Sequence, residues 1–134
     1  MEIRQYEIWL ADLNPASEFP AVCGGISERK IISNKRIGTE PGKTRPVMVV
    51  QTDLLNKILH PSTLICPVTS NVIIKSDLLR VHLKKGMANL HQECDIIVDQ
   101  LRAIDNRRLI KKIGDLPGSL VDTTRENLRI VLDL

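Results

Sequence analysis

The run Pro46-Val47-Met48-Val49-Val50-Gln51 constrains this chain most. Four consecutive apolar residues, three of them β-branched, fit a pleated strand better than a helix. Near-continuous apolarity of this kind suggests a strand buried on both faces. Other short segments share the character. Thr63-Leu64-Ile65-Cys66-Pro67-Val68 reads as a second strand and Asp95-Ile96-Ile97-Val98-Asp99-Gln100 as another. Residues 78 to 83 alternate, with Leu79, Val81 and Leu83 against Arg80 and His82, which marks a half-exposed strand.

Tyr6 to Leu13 also reads with period two, placing Ile8 and Leu10 on one face and Glu7, Trp9 and Ala11 on the other. Asn14-Pro15 ends it, because proline cannot donate to a ladder. Ala16 to Thr44 holds no sustained period and reads as a long loop. Asn106 to Leu109 reads as a short turn or helix, and Lys111 to Leu116 as a returning edge strand. Pro117-Gly118 breaks the chain before a C-terminal helix that starts at about Ser119 or Asp122 and ends at Leu132. Val121, Leu128, Val131 and Leu132 form its apolar stripe, and Asp122, Arg125, Glu126 and Arg129 face out. Several short strands followed by one amphipathic helix define a mainly β chain with a C-terminal α-helix. Its expected form is a small, strongly curved antiparallel sheet or barrel with the helix on one face or end.

The 134 residues suit a single domain spanning 1–134, and an apolar fraction of 43% supplies a core without disulfides or a structural metal. No apolar run approaches the roughly 18–20 residues of a membrane span. The polar start Met1-Glu2-Ile3-Arg4-Gln5 lacks the apolar stretch of a secretory signal, so cytoplasmic residence is the expectation. The three cysteines, Cys23, Cys66 and Cys94, have no CxxC-like spacing, which argues against a disulfide framework and a zinc site. Cys66 and Cys94 read as buried small hydrophobes.

The net charge of +3 is compatible with a polyanionic partner. Basic residues cluster in two segments: Arg29, Lys30, Lys35, Arg36, Lys43 and Arg45, then Arg102, Arg107, Arg108, Lys111 and Lys112. Only Tyr6, Trp9 and Phe19 are aromatic, so any RNA bound here is held by phosphate contacts and hydrogen bonds rather than base stacking. His60, His82 and His91 have no partner at motif spacing and read as surface residues. No GxGxxG, P-loop, HExxH or GxSxG motif occurs.

Three stretches put reactive groups where strands meet loops: Gly42-Lys43-Thr44-Arg45-Pro46, Cys66-Pro67-Val68-Thr69-Ser70, and Asp99-Gln100-Leu101-Arg102-Ala103-Ile104-Asp105. Each has a plain alternative. A solvated arginine, a strand terminated by local hydroxyl bonds and a strand-end amide would look the same.

These stretches, preceded by Tyr6-Glu7-Ile8-Trp9-Leu10-Ala11-Asp12-Leu13-Asn14-Pro15, occur in an order and spacing that resembles the MazF/PemK family of toxin endoribonucleases. The likeness covers nearly the whole chain except the middle of the long loop. It implies an SH3-like barrel with a C-terminal helix and a homodimer. It also implies metal-independent, sequence-selective cleavage of single-stranded RNA, as the toxin of a toxin–antitoxin pair with a MazE-like acidic antitoxin. The 2′-hydroxyl would attack, leaving a 2′,3′-cyclic phosphate and a 5′-hydroxyl, with no cofactor. The family's catalytic arginine falls on Arg45 and its catalytic threonine on Thr69. Glu40, Lys43, Ser70, Gln100 and Arg102 fall where substrate contacts are expected. Two alternatives stay open: a CcdB-like toxin that inhibits DNA gyrase by binding, and an inactive RNA-binding relative. One departure is large, since about 20 extra residues, from about 18 to 37, lengthen the first loop.

Overall fold

The computed structural model describes residues 2–13, 44–73 and 79–134. The insert at about 18–37 and the candidates Glu40 and Lys43 lie outside them. Seven strands form one antiparallel sheet: β1 (Glu7–Asp12), β2 (Thr44–Val49), β3 (Ser62–Thr69), β4 (Arg80–Leu83), β5 (Cys94–Ile97), β6 (Arg102–Asp105) and β7 (Leu109–Asp115). Their order is β4-β5-β3-β2-β1-β7, with β6 also pairing β3. Among the described residues the sheet is open, with β4 and β7 at the two ends of this order and β6 paired with β3 alone. A short helix α1 (Asp53–Lys57) follows β2, and the C-terminal helix α2 (Val121–Leu132) closes the order. No helix among the described residues is long and apolar enough to cross a membrane.

The pleat sorts side chains into two cores, one on each face. Ile8, Met48, Cys66, Val68, Val81, Leu83 and Ile96 belong to the first, against which Val121, Leu128 and Val131 of α2 pack. Trp9, Ala11, Val47, Val49, Ile65, Ile104 and Leu109 belong to the second. The β2 run is therefore buried on both faces, as its composition requires: Met48 looks into one core, Val47 and Val49 into the other. The alternation of β4 holds too, with Val81 and Leu83 inward and His82 outward.

β1 departs from the simple alternation, because its second face is also buried, Glu7 included. Glu7 is tolerated there because its carboxylate is fully engaged. One oxygen accepts from the Trp9 indole at 2.8 Å and the Arg4 main chain at 2.9 Å, and the other lies 3.1 Å from Lys112 Nζ. The strand read at Asp95–Gln100 is shorter, since Val98–Gln100 coils into a 3₁₀ turn. Arg102–Asp105 is a strand, read above only as a reactive stretch, and α1 had no sequence reading. On α2 the apolar stripe stops short of Leu132, which is about half exposed. Its buried polar positions are Thr124, bonded to Leu120 O at 2.8 Å, and Asn127, which accepts from Leu79 N–H at 2.6 Å. Gly114 of β7 lies against the main chain of Ala88, where an added Cβ would sit 2.5 Å from the carbonyl oxygen. Only glycine lets those two backbones approach so closely.

Candidate active site

Arg45 is the second residue of β2 and Thr69 the last of β3. The register of the ladder pairs Val47 with Pro67 and Met48 with Cys66. Carried two residues outward, it brings Arg45 level with Thr69 at one end of the sheet. Beyond Thr69 on the other side, Thr69 pairs with Asp95 of β5, and Asp95 with His82 of β4. Four adjacent strands thus present Arg45, Thr69, Asp95 and His82 in one row, because directly opposed antiparallel residues share a face.

On the other face, the first core opens at the same end into a cleft of about 260 Å³. It is lined by Thr44, Arg45, Pro46, Val68, Ser70, Gln92 and Cys94. A second cleft of about 470 Å³ shares Pro46, Gln92 and Cys94 with it and runs on to Lys111 and Lys112. Arg45 and Ser70 therefore line one cleft, while Thr69 stands level with Arg45 in the row on the opposite face of the strands. The Thr69 hydroxyl accepts from Asn71 N–H at 3.1 Å, which leaves its own proton to be donated elsewhere.

Gln100 and Arg102 do not line that cleft. Gln100 is exposed in the 3₁₀ turn, and Arg102 opens β6 opposite Ile65. Ile65 is four residues from Thr69, roughly 13 Å along an extended strand. The second basic cluster is also less available than its sequence implies. Arg108 is buried and donates to Asp12 O at 3.0 Å, Arg107 grips Asp105 through two bonds of 3.0 and 2.9 Å, and Lys112 is bridged to Glu7 and Asp115.

His82 is exposed, as expected above, but it is not unpartnered. Its Nδ1 lies 3.0 Å from Asp95 Oδ1. Asp95 is 1% exposed and also accepts from Arg80 Nη1 and Ile73 N–H, each at 3.1 Å. Burial pushes the Asp95 pKa up, but the Ile73 N–H, His82 and Arg80 together outweigh it and hold the carboxyl below its usual range. Sequence reading missed this cluster because its members are brought together only by pairing β4 with β5. The Arg80-x-His82 spacing was the one local signal, since it puts two polar residues on one face of a strand. Cys66 and Cys94 are buried as expected, and burial, with Asp99 adding to it, pushes the Cys66 thiol up to about 12.

An arginine and a hydroxyl donor level at neighbouring strand ends have the chemistry to hold a phosphate. The comparison with known proteins defines the class further. Residues 30–132 match the family described as the PemK-like, MazF-like toxin of type II toxin–antitoxin systems, and the chain belongs to that family. It is 25% identical over its whole length to endoribonuclease EndoA of Bacillus subtilis (strain 168), covering 97% of that protein. It is 28% identical to endoribonuclease MazF6 of Mycobacterium tuberculosis (strain ATCC 25618 / H37Rv), with full coverage of both chains. The fold is that of MazF from Deinococcus radiodurans, with a TM-score of 0.68 at 18% identity over 100% of this chain and 99% of that one. It also matches a mycobacterial endoribonuclease solved with its cognate antitoxin, with a TM-score of 0.67 at 11% identity over 98% and 96% of the two chains.

Proposed function

We propose that this chain is a metal-independent endoribonuclease that cuts single-stranded RNA as the toxin of a toxin–antitoxin pair. The observation that carries the reading is the alignment of Arg45 with Thr69 at neighbouring strand ends, next to Ser70, in a member of the MazF-like family. RNA brings its own nucleophile. Its 2′-oxygen attacks the neighbouring phosphorus and loses its proton, the bond from phosphorus to the 5′-oxygen breaks, and that oxygen takes up a proton. The products are a 2′,3′-cyclic phosphate and a 5′-hydroxyl. The protein has to orient the strand and stabilise charge on the pentacovalent phosphorus.

The Arg45 guanidinium stays ionised throughout and can hold two phosphate oxygens at once. Thr69 donates its hydroxyl proton to a non-bridging oxygen, the acceptor side of that hydroxyl being occupied by Asn71 N–H. Ser70 adds a second hydroxyl in the cleft. Glu40, Lys43, Gln100 and Arg102 complete the proposed substrate contacts through the strand that leads away from the cut. An acidic, extended antitoxin segment would occupy the same adjoining clefts and exclude RNA, and the active form would be a cytoplasmic homodimer.

Arg45→Ala and Thr69→Ala should each slow cleavage of a long RNA by about 10²–10³-fold, with little change in melting temperature, since both sit at a strand end. Wild-type cleavage should persist in EDTA. Loss of cutting on chelation would remove the metal-independent mechanism. Inhibition of DNA supercoiling with no RNA cutting would point to the gyrase-binding alternative.

A further inference from the structure

Thr69 can serve a phosphate only if its hydroxyl proton points out of the protein. The bond from Asn71 N–H to Thr69 Oγ1, 3.1 Å long, fixes that direction by occupying an acceptor lone pair. The same peptide region is held from the far side. Arg80 Nη1 donates to Asn71 O at 3.1 Å and to Asp95 Oδ2 at 3.1 Å. Asp95 in turn sits opposite Thr69 in the ladder and is anchored by His82 and by Ile73 N–H. A continuous chain of bonds therefore runs from a buried carboxylate, through Arg80 and the main chain of Asn71, to the Thr69 hydroxyl.

We infer that Arg80 and Asp95 are positioning residues for the Thr69 hydroxyl, acting through the main chain of Asn71. This rests on the reading of Thr69 as a phosphate donor. The physical case is economy of restraint. Residues 70–73 leave the end of β3, where the ladder no longer fixes them, and Asn71 is exposed. An exposed turn held only by its own backbone would sample several orientations. Arg80 is well placed to prevent this because its side chain is four-fifths buried and its guanidinium is rigid. Asp95 keeps that guanidinium in place, and bonds in such a chain polarise one another in a low-dielectric setting. His82 holds the other Asp95 oxygen. Its outward nitrogen lies 4.0 Å from Glu93.

The test uses the full chain and two readouts, a backbone amide spectrum and RNA cleavage kinetics. Arg80→Met, which keeps the stem and removes the donors, should shift the Asn71 amide resonance and speed its hydrogen exchange by on the order of ten-fold. Arg80→Lys, which can still offer one nitrogen to both acceptors, should restore both. His82→Gln, which removes one anchor of Asp95 while Arg80 keeps its own bond to Asn71 O, should lower the melting temperature and move the Asn71 amide less than Arg80→Met does. In kinetics, Arg80→Met should lower kcat about ten-fold with KM within about two-fold, the pattern of a lost transition-state contact. In a Thr69→Val background the same change should cost nothing further, because coupled residues are not additive. Arg80→Gln serves where Arg80→Met does not fold. An unmoved Asn71 amide, or an equal kcat loss in both backgrounds, would overturn the inference. A wild type that cuts no RNA would instead sink the endoribonuclease reading, and the amide readout would still decide whether Arg80 holds Asn71.

Discussion

Two buried polar networks lie at opposite ends of β3, and they differ in what they leave exposed. At the Ser62 end, the Gln51 amide donates to Asn56 Oδ1 and Ser62 O, both at 3.1 Å, and Asn56 Nδ2 returns to Gln51 O at 3.0 Å and Asp53 Oδ1 at 3.1 Å. Asp53 in turn accepts from Gln5 N–H at 2.8 Å. Every donor is spent on pinning α1 and the N-terminal segment to β2 and β3. At the Thr69 end, the Asp95 network is equally buried at its centre, yet its outer members Asn71 and His82 are exposed. The first network closes on itself, whereas the second reaches a surface where a ligand can be met. Burial of polar groups alone therefore does not mark a site, since both networks satisfy their buried atoms. The distinguishing feature is a chain of bonds that ends on an outward hydroxyl beside an arginine.

The comparison is broken most forcefully at the closed end. Asn56→Leu keeps the branched shape and removes three bonds, leaving the Gln51 amide only its Ser62 acceptor and the Gln51 main-chain carbonyl without its Asn56 donor. The expected loss is about 3 kcal/mol, with a fall in melting temperature of roughly 10 °C. RNA cleavage per folded molecule, measured well below the transition, should change by less than about two-fold. A large loss of specific activity in a fully folded Asn56→Leu protein would mean that the two ends of β3 communicate, and the division drawn here would fail.

Asp95→Asn should cost less, about 2 kcal/mol at neutral pH, but it should depend on pH. The folded Asp95 carboxyl lies below the ordinary value of 3.8, so the bonds made to its ionised form stabilise the fold above that value. That contribution is lost as pH falls through the lower, folded pKa. The stability gap between wild type and Asp95→Asn, read from urea unfolding at pH 7 and pH 3, should therefore narrow in acid. The Asn56→Leu gap should narrow much less, since Gln51 and Asn56 do not titrate and only Asp53, also held below its usual range by Gln5 N–H and Asn56, adds a dependence of the same sign. Equal narrowing in both variants would place the acid sensitivity elsewhere.

Much of the architecture was legible because it rests on local pattern. The apolar run at Val47–Val50, the alternation at Val81 and Leu83 and the outward charges of α2 each carry their own period. Glu7 was not legible as a buried residue, because its burial depends on Trp9, Arg4 and Lys112 meeting it from three places. The same holds for the strand at Arg102–Asp105, which forms because β3 offers Ser62 to Ile65 as its partner. At the candidate site, the motif positions of Arg45 and Thr69 were readable, but their alignment is a property of register. Arg80, His82 and Asp95 are separated by up to fifteen residues and look like ordinary surface polarity until β4 pairs with β5. The basic count was the most misleading signal. Arg107, Arg108 and Lys112 suggest an anion-binding patch in sequence, and in the fold they serve Asp105, Asp12, Glu7 and Asp115.

The smallest effect should come from Arg107→Ala, next in sequence to Asn106, which bonds Thr63 Oγ1 at 2.5 Å and His60 O at 2.6 Å near the closed end. Arg107 touches that region but faces solvent, and its grip on Asp105 holds that carboxyl down at about 2, through its side-chain bonds first and its main-chain N–H second. The sign follows from linkage. A depressed carboxyl pKa contributes stability above about 3.8, and the contribution fades as pH falls toward about 2. Removing Arg107 removes the side-chain part of that contribution at neutral pH, but solvent and salt screen an exposed pair, so the loss should stay within about 0.5 kcal/mol. Unfolding at low and high salt measures it directly, and the difference from wild type should shrink at 1 M salt, where the Debye length falls to about 3 Å. A loss of several kcal/mol that is insensitive to salt would show that Arg107 supports Asn106 and belongs to the closed network, and the boundary of that network would have to be redrawn to include it.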